Sequence, residues 1–233
     1  MKYAPSLIGV GQLSGSSGST TASHNRYGTY FRNRTIPTNP NSVSQQGVRG
    51  IFGGFAQRWR TLTASQRLAW SALALNIPRI NSLGQSYTLA GNALYASYNL
   101  NLDACAQPVI DDAPALDSPP VISSLVVTVD VNAVEGMSAA YGATGGSGVN
   151  FIIVRASAPR SAGRDFVGRG ELKQITVIAG DDASPVALEA FYEAVFGAGW
   201  EGQAGMEIVF EFAPVSEFGL AGTPVKHQAT IVP

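Results

Sequence analysis

Apolar positions recur with two different periods along the chain, and the period changes near Val121. Between residues 43 and 100 they are spaced by three and four, as on one face of an α-helix. From Val121 onward they alternate with polar positions, as in a half-buried β-strand. Residues 1–47 show neither period. The pattern predicts a polar arm, then a small helical region, then a β domain.

Residues 1–47 lack the apolar side chains needed for a core of their own. Twenty of the 47 residues are Ser, Thr, Asn or Gln, and six more are Gly. Such a segment cannot offset its ordering entropy by burying apolar surface. We therefore expect an extended, loop-like basic docking arm that a neighbouring molecule orders. Its stretch 13–23 has the composition of a flexible linker.

Residues 48–103 are predicted to form three helices. The apolar stripe of the first helix comprises Val48, Ile51, Phe52, Phe55, Trp59 and Leu62. Its N-terminus is placed either at Asn39-Pro40 or at Ser42, which has Gln45 three residues later. Four glycines, at positions 47, 50, 53 and 54, predict either close packing or a broken helix, since each weakens it by up to about 1 kcal/mol.

The next two helices have clearer signals. Thr63 and Gln66 form a capping box that opens a helix over 64–76. A third helix is predicted over about 89–100, with Leu94, Tyr95 and Tyr98 as its apolar side. Residues 104–120 then contain four prolines and three aspartates, and we interpret them as a linker.

Residues 121–233 are predicted to form an immunoglobulin-like β-sandwich with a helical insertion. Strands are indicated at 121–131, 151–154, 173–178, 206–212 and 225–231, and the glycines of 145–148 indicate a hairpin turn. The inserted helix is expected to begin with Ser184 as N-cap and Pro185 in the first position, and to end at Gly197. The fold class is therefore α+β, mainly β.

Charge is divided sharply between the two ends of the chain. Residues 1–102 contain nine of the 15 cations and no Asp or Glu, whereas residues 103–233 contain all 16 acids. The formal charge is therefore about +9 for residues 1–102 and about −10 for residues 103–233, although the net charge of the chain is only −1. Such asymmetry indicates a basic region that meets an anionic partner.

The residues that carry chemistry elsewhere are sparse. His24 lies in the polar arm and His227 on the apolar side of the last strand, and neither has the convergent partners of a triad or a metal site. Cys105 stands alone, so it forms no internal disulfide, and no base is indicated beside it. No apolar run reaches the length of about 18 residues that a membrane helix needs. The sequence predicts no enzyme activity, no cofactor, no metal and no membrane partner.

Segment 26–34 carries the most information about binding. It interleaves arginines with aromatic side chains, which anchor protein interfaces and also stack on single-stranded nucleic acid. We favour protein docking, and the same ambiguity holds for a pair of arginines that flanks a tryptophan in the first helix. The predicted partner-binding residues are Arg26, Tyr27, Tyr30, Phe31, Arg32, Arg34, Arg58, Trp59 and Arg60.

A resemblance enters through three motifs. They are Arg26-Tyr-Gly-Thr-Tyr-Phe-Arg, then Pro37-Thr-Asn-Pro40, then Trp59-x-x-Leu62-Thr63-x-x-Gln66-Arg67-x-Ala69-Trp70. Over roughly residues 15–115 the chain resembles a group of poorly characterised virion proteins of tailed phages and prophages. The resemblance implies a structural role on the particle, in the head, neck or tail, and transfers no catalytic residue.

The sequence thus predicts a non-enzymatic virion protein that docks on other virion subunits, either major capsid or connector and tail subunits, and that can form homo-oligomers. Capsid decoration or stabilisation is the first expectation, and a neck or tail position the second. One alternative is a virion protein whose basic arm contacts the packaged genome. Another is an adhesive or carbohydrate-binding module formed by the sandwich.

Overall fold

A computed structural model describes residues 2–6, 9–81, 83–133, 136–144, 151–164, 166–180 and 184–233. The chain is mixed α and β with mostly β-sheets, which confirms the predicted α+β, mainly β class. It divides into two compact units, residues 1–95 and 96–233. The predicted turn at 145–148 lies outside the described residues. Over the described ranges, no helix combines the length and the apolar character that crossing a membrane requires.

The elements follow the chain in this order. The first part contains β1 (Lys2–Ser6), β2 (Gly9–Ser17), β3 (Thr20–Asn25), β4 (Gly28–Asn33), α1 (Val43–Thr61), α2 (Ala64–Leu75), β5 (Arg79–Ile80), β6 (Ser86–Tyr87) and α3 (Gly91–Ala104). The second part contains β7 (Val121–Val129), β8 (Met137–Thr144), β9 (Phe151–Ala156), a short 3-10 helix (Arg169–Glu171), β10 (Lys173–Ala179), β11 (Val186–Ala187), α4 (Glu189–Phe196), β12 (Glu207–Val215) and β13 (Val225–Thr230).

The N-terminal segment is a sheet rather than a loop. Its strands pair antiparallel in the order β1-β2-β3-β4, so the prediction of a loop-like arm is wrong over residues 2–6 and 9–33. Gly18 permits the tight β2–β3 turn with a φ of +57°, which favours glycine. Across that hairpin the hydroxyls of Ser16 and Thr21 are hydrogen-bonded at 2.8 Å. Because these strands are built from small polar residues, they show no apolar alternation in the sequence.

Helix α1 is continuous over 19 residues. Its N-cap is Ser42, whose hydroxyl accepts a hydrogen bond from the Gln45 N–H at 3.4 Å, so Ser42 rather than Asn39-Pro40 opens the helix. The prediction of close packing or a break at its four glycines is wrong. A Cβ added at any of the four would meet nothing within 4 Å. Phe55 within the helix and Leu62 at its C-cap are buried, and packing of this kind stabilises a helix against the cost of its glycines.

The capping box that opens α2 is confirmed. The Gln66 N–H donates to Thr63 Oγ1 at 3.3 Å, and the Thr63 N–H donates to Gln66 Oε1 at 2.9 Å. Helix α3 begins and ends later than predicted, but its apolar side is the predicted one, with Leu94, Tyr95 and Tyr98 buried.

The second unit is built from two antiparallel sheets. Their strand orders are β10-β9-β12-β13 and β11-β8-β7. One hydrophobic cluster takes side chains from both sheets: Val127 and Val129 come from one, and Ile152, Phe210 and Phe212 from the other. Val127 and Val129 alternate with the exposed Thr128, as the sequence pattern predicts.

Strand β12 is buried on both faces, although its glutamates predict a solvent side. Val209 packs with Val167 and Leu172, which come from the connection between β9 and β10. Glu211 is only 4% exposed, and its carboxylate lies 2.8 Å from the guanidinium of Arg155. On this face of β12, the connection between β9 and β10 covers Val209, and the Arg155 guanidinium pairs with Glu211. These contacts replace the expected contact with water.

The inserted helix begins later than predicted. Ser184 accepts a hydrogen bond from the Tyr141 N–H of β8 at 3.1 Å. The residues after Pro185 form β11, in which Val186 pairs with Ala139 of β8. Ser184 and Pro185 are therefore tied to the sheet, and α4 starts at Glu189. Its predicted end at Gly197 is confirmed.

Candidate protein interaction surface

The turn between β3 and β4 presents the first part of the predicted surface. The Arg26 guanidinium lies over the Tyr27 ring, 4.6 Å from its centroid, and it also donates to the Tyr27 hydroxyl. The Asn25 side chain accepts from the Tyr27 N–H at 2.9 Å and shapes the turn. Tyr27 is 80% exposed, so the pair projects into solvent as a preformed cation–aromatic unit.

Strand β4 continues this surface along its whole length. Tyr30 and Arg32 point to one face of the sheet and Phe31 to the other, since side chains alternate along a strand. All six β4 residues are exposed, including Phe31 at 60%. Arg34 follows directly, and its N–H donates to the Ser19 carbonyl at 2.7 Å. We call Arg26, Tyr27, Tyr30, Phe31, Arg32 and Arg34 the arginine–aromatic strip.

The position of β4 within its sheet adds a second binding feature. In the order β1-β2-β3-β4 it is the terminal strand, so among the described residues no strand lies along its outer row of N–H and C=O groups. An exposed strand edge is a ready template for pairing with another chain. The side chains of the arginine–aromatic strip and the backbone edge of β4 are therefore both accessible to a partner molecule.

The predicted residues of α1 have a more mixed role. Trp59 is half-buried against Tyr95, with ring centroids 5.5 Å apart, so it stabilises the helices as well as bordering the surface. Arg58 and Arg60 lie in the last helical turn, where the helix dipole favours cations. These three residues lie on α1, whereas the arginine–aromatic strip lies on β4 and in the segments that flank it.

Sequence reasoning missed a second group of exposed side chains. Three residues of the predicted α1 stripe, Val48, Ile51 and Phe52, are open to solvent. Four further large apolar residues of the first unit are also exposed: Ile36 in the coil after β4, Val43 at the start of α1, and Leu68 and Leu75 on α2. The N-terminal half of the α1 stripe is exposed while its C-terminal half is buried. The periodicity predicts the apolar stripe of α1, but which half of that stripe is buried depends on where the other helices end.

Electrostatics distinguish the two units. The unit of residues 1–95 holds nine cations and no carboxylate, so none of its arginines can pair with an acid inside that unit. The unit of residues 96–233 holds the 16 acids and six cations. Its described ion pairs join Arg155 and Lys226 to Glu211, and Arg164 to Glu171.

The densest described group of carboxylates lies at α4. One oxygen from each of Glu189, Glu193 and Glu201 falls within 4.8 Å of the others. Burial raises the pKa of Glu189, and the charges of Glu193 and Glu201 raise it further. Trp200 Nε1–H donates to Glu193 at 3.2 Å, which ties the cluster to the core. The i, i+4 spacing of the first two was readable from the sequence, but the approach of Glu201 required the turn after α4.

The remaining reactive side chains are two histidines and one cysteine. His24 is exposed on β3. His227 borders a cleft of about 400 Å³ between β7 and β13, and burial lowers its pKa below the usual 6.5. Cys105 is a buried free thiol whose pKa burial raises to about 11. A thiol held in that protonated form is a poor nucleophile.

No protein-family model matches the chain, and neither does any curated protein or any solved structure.

Proposed function

We propose that the protein is a non-enzymatic structural component of a phage particle, located on the virion. Its N-terminal half docks on neighbouring virion subunits, either major capsid subunits or those of the connector and tail. Capsid decoration or stabilisation is the first assignment, and a neck or tail position is the second. The second unit acts as the projecting module, and we propose an immunoglobulin-like sandwich for its two antiparallel sheets that share a core.

One observation carries this proposal: the first unit exposes aromatic and aliphatic side chains among charges of a single sign. Soluble monomers rarely expose contiguous apolar patches larger than a few hundred Å², and ordinary surfaces intersperse both signs of charge. Aromatic residues and arginines are enriched where protein interfaces have their strongest contacts. Tyr27 and Phe31, 80% and 60% exposed beside arginines, have this character.

The test is a count of the protein in purified particles. Virions of the phage or induced prophage that encodes the chain are banded by density, and the protein is quantified against the major capsid protein by mass spectrometry. Hundreds of copies per particle would support the shell, and about a dozen would support a neck or tail ring. Complete absence from banded particles, with the protein present in the lysate, would overturn the proposal.

The second candidate function is contact with the packaged genome. The acid-free charge of the first unit and the interleaved arginines and aromatics favour it. Binding of a single-stranded DNA oligonucleotide would then weaken steeply with salt, because each neutralised phosphate releases counterions. Binding that is absent at low salt would remove this candidate.

A further inference from the structure

The exposed edge of β4 needs a partner that supplies both negative charge and surface for aromatic side chains. On the terminal strand, Arg32 is exposed beside Tyr30 and Phe31. The unit that contains the strand has no Asp or Glu. The counter-charge of the arginine–aromatic strip must therefore come from outside residues 1–95.

The chain itself carries the complementary surface. The unit of residues 96–233 has a formal charge of about −10, against +9 for the unit of residues 1–95. When the first unit of one copy meets the second unit of another, the charges nearly cancel at one-to-one stoichiometry. Opposite potentials of this kind steer encounter and fix orientation.

Nucleic acid fits the same chemistry less well. A net charge of −1 supplies no long-range attraction for a polyanion such as a nucleic acid. A second copy brings the 16 acids of its own residues 103–233, so its acidic unit is the attracting surface.

We propose that the arginine–aromatic strip of one copy docks on the acidic unit, residues 96–233, of a second copy. This inference goes beyond the proposed function, because it adds a contact between two copies of this chain to the docking on other virion subunits. The two surfaces differ, so the contact is head to tail. Every copy then offers one donor and one acceptor surface, and repetition of the contact closes a ring or extends an array.

The experiment uses the purified full-length chain in sedimentation velocity over a concentration series. In 20 mM NaCl the chain is expected to associate, and in 1 M NaCl, where the Debye length is about 3 Å, to be monomeric. Arg32→Glu is expected to weaken the association at least about tenfold, because it places a carboxylate against an acidic surface. Arg67→Glu makes the same charge change at another exposed arginine of the first unit, on α2, and is expected to weaken it less than about threefold.

Three results would overturn the inference. They are a monomer at every concentration in 20 mM NaCl, an association that Arg32→Glu and Arg67→Glu weaken equally, and a monomer that binds single-stranded DNA through Arg32. Circular dichroism verifies that both variants fold, which their exposed positions favour. A protein found in particles yet monomeric in solution would refute this contact and leave the proposed function standing. Salt-sensitive association of a protein that is absent from particles would support this contact and refute the proposed function.

Discussion

The Trp70 indole meets the Tyr95 ring edge-on, with the centroids 5.4 Å apart and the planes at 85°. Phe55 and Trp59 of α1 approach the same ring at 6.5 and 5.5 Å. Tyr95 is fully buried, so one side chain of α3 joins the aromatic residues of α1 and α2. Short helices gain most of their stability from such packing.

Tyr95→Ala is expected to destabilise these helices by about 3–5 kcal/mol, the usual cost of removing a buried aromatic ring. Urea unfolding followed by the fluorescence of Trp59 and Trp70 measures it, in a Trp200→Phe background that removes the signal of the second unit. Tyr27→Ala is the control at an exposed tyrosine, with an expected change within about 0.5 kcal/mol. Equal losses in the two variants would show that Tyr95 does not join the helices.

Gly50→Ala is expected to stabilise the chain by up to about 1 kcal/mol, since alanine favours helix and the added methyl group meets open space. The matched variant is Gly91→Ala, whose Cβ would lie 2.9 Å from the Ser71 backbone nitrogen. It is expected to destabilise. Thermal unfolding of both variants measures the difference, and a loss of stability in Gly50→Ala would mean that the glycine side of α1 is already covered.

Cys105 is expected to resist alkylation in the folded protein. Burial raises its pKa from 9.0 to about 11, so at pH 8 the reactive thiolate is about 100-fold scarcer than in an unfolded chain. Iodoacetamide labelling followed by mass spectrometry should therefore be at least about 100-fold slower in buffer than in 8 M urea. Comparable rates in the two solutions would contradict the buried position.

His227 is expected to make stability depend on pH. Because burial lowers its pKa below 6.5 in the folded state, the unfolded chain binds this proton more readily. The neutral side chain is accommodated above pH 6.5, and stability is lost as the pH falls from there toward the lower pKa of the folded state. Urea midpoints at pH 7.5, 6.5 and 5.5 should fall less steeply for His227→Gln than for the natural chain. An equal fall in the two chains would contradict this role of His227.

Arg155→Met is expected to cost about 2 kcal/mol, because it removes the nearer cation from a carboxylate that is almost fully buried. Lys226 remains 3.8 Å from Glu211 and compensates in part. Arg164→Met provides the comparison, since the Arg164–Glu171 pair at 2.9 Å is solvent-exposed and is expected to contribute less than about 1 kcal/mol. Urea unfolding measures both, and a larger loss in Arg164→Met would reverse the assignment.

Local signals that involve one or two residues were readable from the sequence. Thr63 and Gln66 predicted the start of α2, and Gly197 the end of α4, because a cap depends on neighbours within a few positions. The buried sides of β7 and β12 followed from alternation. These signals needed no knowledge of what lies across the core.

Features that depend on residues far apart in the sequence could not be predicted from it. Ser184 has a side chain typical of a helix N-cap, but its hydroxyl instead accepts a hydrogen bond from the Tyr141 N–H of β8. The hairpin of β2 and β3 pairs small polar residues, whose composition also suits a flexible segment. The residues of the arginine–aromatic strip were identified from the sequence, but their place on a terminal strand depends on three other strands.

The segment between α3 and β7 is fixed near both ends. Asn99 accepts from the Ile110 N–H at 2.8 Å and donates to the Ile110 carbonyl at 3.1 Å. At the other end the Pro120 carbonyl occupies the space that a side chain at Gly222 would need. A bulkier residue at position 222 would therefore displace Pro120 and, with it, the start of β7.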